Sequence, residues 1–426
     1  MKIENHYTDL FMVTQAQLQE LVAAALAQGG DYCDLYFEHT TFFNLLLKDG
    51  VVSSGGFHTD FGVGIRVLKG EKTGYAYSEN TAMADMMSAA KAASAIASGS
   101  SAASRIYAPV QDRKLDLYPM KENWREKEAD AFLPFLKDLE KAILSKDSRI
   151  VKVIIRLSES VTDVMMYKSL AELTCDTRPM GSITATVVFQ QGSKTENKNV
   201  SRSFRTGAEL IGPGLLNEIA EEAVRGIDER FEAIRPKGGQ MNVVMGAGAS
   251  GILLHEAMGH AFEADFNRKG QSIFADKLGK RVCPEGVDVV DDGTVAFNRG
   301  SGNYDDEGVS GEKTYMVKDG ILCSYLHDRI SASWYGVTPT GNGRRENFRY
   351  NPIPRMRATY MENGNADPES IIASVKNGVY VDEFSNGQVK IGEGDFTFFV
   401  KSGFLIENGR LTAPVKDINI IGNGPQ

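Results

Sequence analysis

Cysteine is scarce in this chain. Cys33, Cys175, Cys283 and Cys323 are spread over 426 residues with no Cys-x-x-Cys pair among them. That excludes a disulfide framework and a cysteine-rich zinc module, and reads as the reduced thiols of an intracellular protein. Histidine is also sparse, with six. No apolar run approaches the roughly 18 residues of a membrane-spanning helix. The opening Met1-Lys-Ile-Glu-Asn-His6 lacks the apolar stretch of a signal peptide. Positive charge is in deficit too: 47 Lys and Arg against 56 Asp and Glu give a net charge of −9. Such a surface disfavours nucleic acid and anionic membranes, which are gripped by Lys and Arg against phosphate. The expectation is a cytoplasmic protein with no direct nucleic-acid contact and no membrane contact.

What is present describes a globular chain. Hydrophobic residues make up 42% and charged residues 24%, and the length suggests two domains. Residues 14–28 read as a helix capped by Thr14 and ended by Gly29-Gly30. Strands follow at 34–39, 41–47, 62–68 and 73–77, and a helix at 81–98. A polar break at 99–104 opens a connector over 99–119. A helix at 124–145, strands at 150–160, 163–174 and 181–190, and an amphipathic helix at 215–230 repeat the theme of helix plus meander. Arg235-Pro-Lys-Gly-Gly239 marks the boundary. Beyond it come strands at 241–245, 287–291, 313–318, 321–327, 379–384, 388–392 and 396–406, with one convincing helix at 367–377. The fold class is α+β. Residues 1–236 form an N-terminal domain of helices and antiparallel sheet, divisible into 1–105 and 120–236. Residues 237–426 form a mainly β domain carrying the helix described next.

That helix holds His255-Glu-Ala-Met-Gly-His260, which is HExxxH, one residue longer than the zinc-protease signature HExxH. Four residues apart, two histidines stand about 40° from each other around an α-helix; five apart, they stand about 140° apart, too far to share an ion. A π-type turn closes that gap. Gly259 is the residue that tolerates the distortion. Ser250 is available to cap the start of this helix. His255 and His260 are the candidate metal ligands, and Glu256 the general base that takes a proton from water and passes it to a leaving amine. Glu263 reads as an extra ligand, a partner that holds an imidazole, or a solvated carboxylate; Asp265 is a weaker candidate. His327 reads as an ordinary polar residue at a strand end. Asp305-Asp306-Glu307-Gly308 is calcium-like in composition without the EF-hand spacing, and suits a turn or a chamber rim. In Gly341-Asn342-Gly343-Arg344-Arg345, amides and guanidiniums suit a peptide carboxylate or a developing oxyanion. Asn342, Arg344 and Arg345 are therefore candidate substrate-binding residues, against a plain glycine turn with surface arginines. A phosphate loop is disfavoured because no GxxxxGK[ST] occurs. Extended peptides would be held by strand addition to a sheet edge.

The blocks 255–268, Val290-Asp-Asp-Gly-Thr294, Tyr304-Asp-Asp-Glu-Gly308, Thr340-Gly-Asn-Gly-Arg-Arg-Glu346, Pro354-Arg-Met-Arg357, Gly387-Gln-Val389 and Ile406-Glu-Asn-Gly409 with Pro414-Val-Lys-Asp417 resemble the TldD/PmbA family. Asp31-Tyr-Cys-Asp-Leu-Tyr36 and Gly62-Val-Gly-Ile-Arg66 agree more loosely. The resemblance covers nearly the whole chain. It implies a metallopeptidase of the TldD branch, because the sister PmbA (TldE) branch lacks the HExxxH residues. It further implies cleavage of unfolded polypeptides or peptide precursors by a homodimer, or by a heterodimer with a TldE/PmbA-like subunit. The family is also called a modulator of DNA gyrase, a name for a genetic effect. It implies Zn²⁺ on His255, His260 and a cysteine in a Cys-Gly-Lys segment beyond Ile421-Gly-Asn-Gly-Pro-Gln426. The sequence ends before that segment, so the expectation is zinc that is absent or weakly held. The alternative is a metal-free, non-catalytic partner subunit.

Overall fold

Apolar and polar side chains alternate from Tyr32 onward with no glycine or proline to interrupt them. They fold as a single strand, β1 (Tyr32–Lys48), where two were expected. β1 is the middle of an antiparallel sheet. β2 (Val51–Lys69) and β3 (Lys72–Ser78) continue one half, and β4 (Ile150–Lys168), β5 (Glu172–Gln191) and β6 (Lys194–Phe204) build the other, in the order β3-β2-β1-β4-β5-β6. The computed structural model describes residues 3–97, 115–170, 172–390 and 392–423. The polar break at 99–104 and most of the expected connector lie outside them.

Alternation gives β1 two unlike faces. Cys33, Leu35 and Phe37 face a core closed by α1 (Ile3–Leu10), α2 (Gln15–Leu26) and α3 (Met83–Ser94). Further along the same face, Leu45 and Leu47 enter a second core under α4 (Leu133–Leu144) and α5 (Pro213–Val224). Each half is thus helix, three-stranded meander, helix, and the halves share one sheet through β1 and β4. Thr14 caps α2 in a reciprocal box with Gln17. Several boundaries move for local reasons. Residues 124–131 form two 3₁₀ turns, and α4 starts only at Leu133, with Pro134 in its first turn where a missing N–H costs nothing. The helix at 215–230 breaks at Gly226, whose φ of +73° ends α5 and opens α6 (Ile227–Glu232).

The remaining chain is mainly β, as expected. β8 (Val289–Asp292), β9 (Lys313–Lys318), β10 (Ile321–Leu322) and β13 (Thr359–Met361) make a sheet in the order β10-β9-β8-β13. β11 (Gly343–Arg344) and β12 (Ile353–Pro354) form a short ladder. A second sheet runs β16-β15-β14-β7, from β7 (Asn242–Met245), β14 (Asn377–Val389), β15 (Asp395–Glu407) and β16 (Arg410–Val415), with β17 (Ile418–Asn423) also on β15. β7 pairs with β14 in the parallel sense. It hands the chain through Gly246 to α7 (Ala247–Leu254). That helix begins at Ala247, so Ser250 does not cap it; the Ser250 hydroxyl donates to the Ala247 carbonyl instead.

The other face of β1 meets this second half of the chain. Asp34, Tyr36 and Glu38 are buried there, beside Arg66 of β2. Arg66, fully buried, pairs with Asp34 at 2.5 Å and with Glu307 at 2.7 Å. Arg345 reaches the other Asp34 oxygen at 3.1 Å, and Arg178 holds Asp306 at 2.5 Å. Tyr36, Val164, Met166, Tyr304 and Phe348 add an apolar patch. A Cβ on Gly62 would lie 2.3 Å from the Phe348 ring, so only glycine lets that segment press against β2.

Candidate functional site

The apolar Ile252-Leu253-Leu254 turn of α7 runs directly into a π-helical turn, His255–Gly259. The N–H of His260 donates to the carbonyl of His255, the i to i+5 bond that defines the widened turn. The two imidazoles come together, with centroids 4.9 Å apart and planes near perpendicular. Donor atoms of His255, Glu256 and His260 all lie within 4.8 Å of one another. Gly259 itself keeps ordinary helical dihedrals (φ −55°, ψ −53°), so its special freedom is not used; a Cβ there would stand 2.1 Å from the Met356 sulfur, and that side chain would have to move.

A chain of polar contacts fixes His260. Its Nδ1 lies 3.2 Å from Glu263 Oε1, and Arg355 donates to Glu263 Oε2 at 2.8 Å. Glu263 is fully buried, and burial pushes its carboxyl up. The hydrogen bond with Glu263 raises the His260 imidazole, while burial, followed by the nearby His260, lowers that of His255. A carboxylate accepts, so the Glu263 contact puts the proton on Nδ1 and leaves the Nε2 lone pair free to hold a metal ion. Two imidazole nitrogens beside a carboxylate form a donor set that suits zinc. Arg355 carried no spacing signal in the sequence; it stands 92 residues from its partner.

The glycine loop divides. Asn342 is buried, and its amide donates to Asp291 Oδ2 at 2.7 Å and to the Arg355 carbonyl at 3.0 Å. Asp291 in turn accepts from the Thr359 hydroxyl and the Arg357 N–H. Arg345 reaches into the sheet contact with Asp34, its guanidinium over the Tyr36 ring at 4.2 Å. Arg344, its neighbour, stays half-buried at the mouth of a cavity it shares with Arg355. Asp305, Asp306 and Glu307 are buried anchors. Asp305 accepts the N–H of Glu307, Val309 and Gly343, and Asp306 accepts that of Arg345. The structure therefore gives this acidic run internal partners.

His327 is buried against Tyr325 and Tyr335, with no hydrogen-bond partner on Nδ1 among the described residues. Burial holds its imidazole down at about 4. The unfolded chain takes up this proton near its usual pKa of about 6.5, so the stability the neutral ring contributes is present above that pH. It is lost as pH falls toward 4, a change on the order of 3 kcal/mol when complete. Between pH 7.5 and 5 the urea midpoint of the wild type is expected to drop further than that of His327→Phe. Parallel curves would remove His327 from the account.

Three family domains match the sequence: PmbA/TldA metallopeptidase domain 1 over residues 33–97, the central domain over 122–229 and the C-terminal domain over 238–426. The chain is 37% identical to the Metalloprotease TldD homolog of Haemophilus influenzae, covering 92% of this chain and 83% of that protein. It is 34% identical to the Metalloprotease TldD homolog of Buchnera aphidicola from Acyrthosiphon pisum, covering 96% and 85%. Its fold is similar to the crystal structure of TldE from Thermococcus kodakarensis, with a TM-score of 0.75 over 96% of this chain and 92% of that one at 20% identity.

Proposed function

The chain belongs to the PmbA/TldD metallopeptidase family, and from that premise we propose that it is a zinc-dependent peptidase acting on unfolded proteins or peptide precursors. The observation that carries this reading is the π-turn, which gathers His255, Glu256 and His260 where a regular helix would part the histidines. His255 and His260 would hold the ion. When bound, the ion supplies Lewis acidity to water and to the scissile carbonyl. Glu256 accepts the water's proton on its carboxylate and delivers it to the departing amine nitrogen. Glu263, braced by Arg355, holds His260 in one tautomer. Asn342 keeps Asp291 and the Arg355 segment in register from behind.

The substrate arrives as a strand. β13 ends its sheet, and Tyr360 faces Val290 across the ladder. Bonds from Glu362 to Asp288 and from Asp292 to Ala358 put Tyr360 in the bonded register. The main-chain groups of Thr359 and Met361 then face the open edge. An extended peptide adding there binds through its backbone, with little demand on its sequence, and a folded chain has no such segment to offer. Assembly with a second copy, or with a TldE/PmbA-like subunit, in the cytoplasm completes the reading. The family relatives' names favour the enzyme over a non-catalytic subunit.

Removing and returning the metal tests this. Dialysis against a chelator is expected to abolish hydrolysis of unfolded casein, and added Zn²⁺ to restore it; His255→Ala should neither bind Zn²⁺ nor respond. Hydrolysis that is indifferent to the chelator would overturn the reading.

A further inference from the structure

Behind the β11–β12 ladder opens a cavity of about 520 Å³, lined by Arg344, Arg345, Glu346, Tyr350, Ile353 and Arg355 among others. Three guanidiniums surround it, and the protein answers only two. Arg345 is spent on Asp34 at 3.1 Å, and Arg355 on Glu263 at 2.8 Å. Arg344 donates one N–H to the Met356 carbonyl at 2.7 Å and has no carboxylate within ion-pairing distance among the described residues. Glu346, the only carboxylate on the wall among the described residues, is exposed. Burial, and then the nearby Arg357, holds the Arg344 guanidinium down at about 10, still charged at neutral pH. A half-buried guanidinium with N–H donors left over is matched by a carboxylate, which accepts two of them side by side.

We propose that this cavity binds a carboxylate of the peptide substrate, with Arg344 as the primary contact and Arg355 beside it. The inference rests on the peptidase reading and names the substrate chemistry that reading leaves open. The position supports it: Arg355 spans from the cavity to Glu263, and Glu263 to His260, so Arg355 lies two hydrogen-bonded contacts from the metal-binding imidazole. Two sources carry this group. The C-terminal carboxylate of the chain would make the enzyme cut near chain ends; an Asp or Glu side chain would make it cut beside acidic residues.

The experiment uses one fluorescent, unstructured peptide in three forms: free acid, C-terminal amide, and amide with one internal Gln replaced by Glu. Wild type and Arg344→Gln are compared by kcat/KM and by anisotropy. The wild type is expected to favour one carboxylate form over the plain amide by about tenfold or more, the form identifying the source. Arg344→Gln is expected to erase that preference through KM. Arg344→Lys, which keeps the charge, should retain part of it and guards against a folding artefact. Equal treatment of all three forms by the wild type, or a preference that survives in Arg344→Gln, overturns the proposal. If no form is hydrolysed, the peptidase reading has failed, while anisotropy still decides whether Arg344 selects a carboxylate.

Discussion

Glu256→Gln is expected to lower hydrolysis of unfolded casein by about a thousandfold, within the range that loss of a positioned general base produces. The amide keeps the shape of the side chain and can still donate and accept hydrogen bonds, but it no longer takes a proton from water at neutral pH. Glu256 is half-buried on the turn, so the change leaves no unanswered charge in the interior, and the denaturation midpoint should stay put. Zinc content should change little if the two imidazoles carry the ion. The two readouts separate the base from the site: equal activity in variant and wild type sinks the assignment of Glu256, whereas loss of zinc would make Glu256 a ligand.

The second large effect is on stability and lies far from the histidines. Arg66→Met strips the guanidinium that bridges Asp34 Oδ2 and Glu307 Oε1, both buried. Breaking a buried pair from one side costs about 3–5 kcal/mol, because the charges left behind have neither water nor a partner. Arg345 still reaches Asp34, so Glu307 is the more stranded of the two. Glu307 also accepts the N–H of Arg329 at 2.7 Å, and its neighbours Asp305 and Asp306 hold the N–H of Gly343 and Arg345. The loss should therefore reach the Arg344 loop as well as the contact between the β1 sheet and the C-terminal half. Urea denaturation is the measurement. The triple variant Arg66→Met, Asp34→Asn, Glu307→Gln should recover much of the loss, since replacing all the charges together leaves none unanswered. A single variant within about 1 kcal/mol of wild type would show that this cluster does not hold the halves together.

Much of this was legible in the residues. The five-residue spacing of the histidines, set against an α-helical period, required a widened turn, and Gly259 marked where it falls. The cap on α2, the α+β class and most C-terminal strands followed from spacing and turn residues. What escaped depends on partners far away in sequence. β6 reads Lys194-Thr-Glu-Asn-Lys-Asn-Val-Ser-Arg-Ser-Phe204, polar enough to pass for a loop; it is a strand because β5 supplies its ladder. Arg344 and Arg345 looked equivalent. Both border the cavity, but Arg345 is buried against Asp34, 311 residues away, whereas Arg344 keeps only the Met356 carbonyl among the described residues. Glu263 was visible as a candidate, but Arg355, which braces it, was not.

A π-turn is also an α-helix carrying one surplus residue, and here the widened turn absorbs that surplus before the chain goes on. Deleting Ala257 or Met258 would restore the shorter HExxH spelling on a regular helix, where residues four apart stand about 40° from each other and the histidines would still meet. The side chains that follow would keep their phase: Ala261 and Phe262 would still face the core they fill, and Glu263 would still lie beside His260 and Arg355. Seen from downstream the two spellings are interchangeable, and what the surplus residue changes is confined to the turn between the histidines.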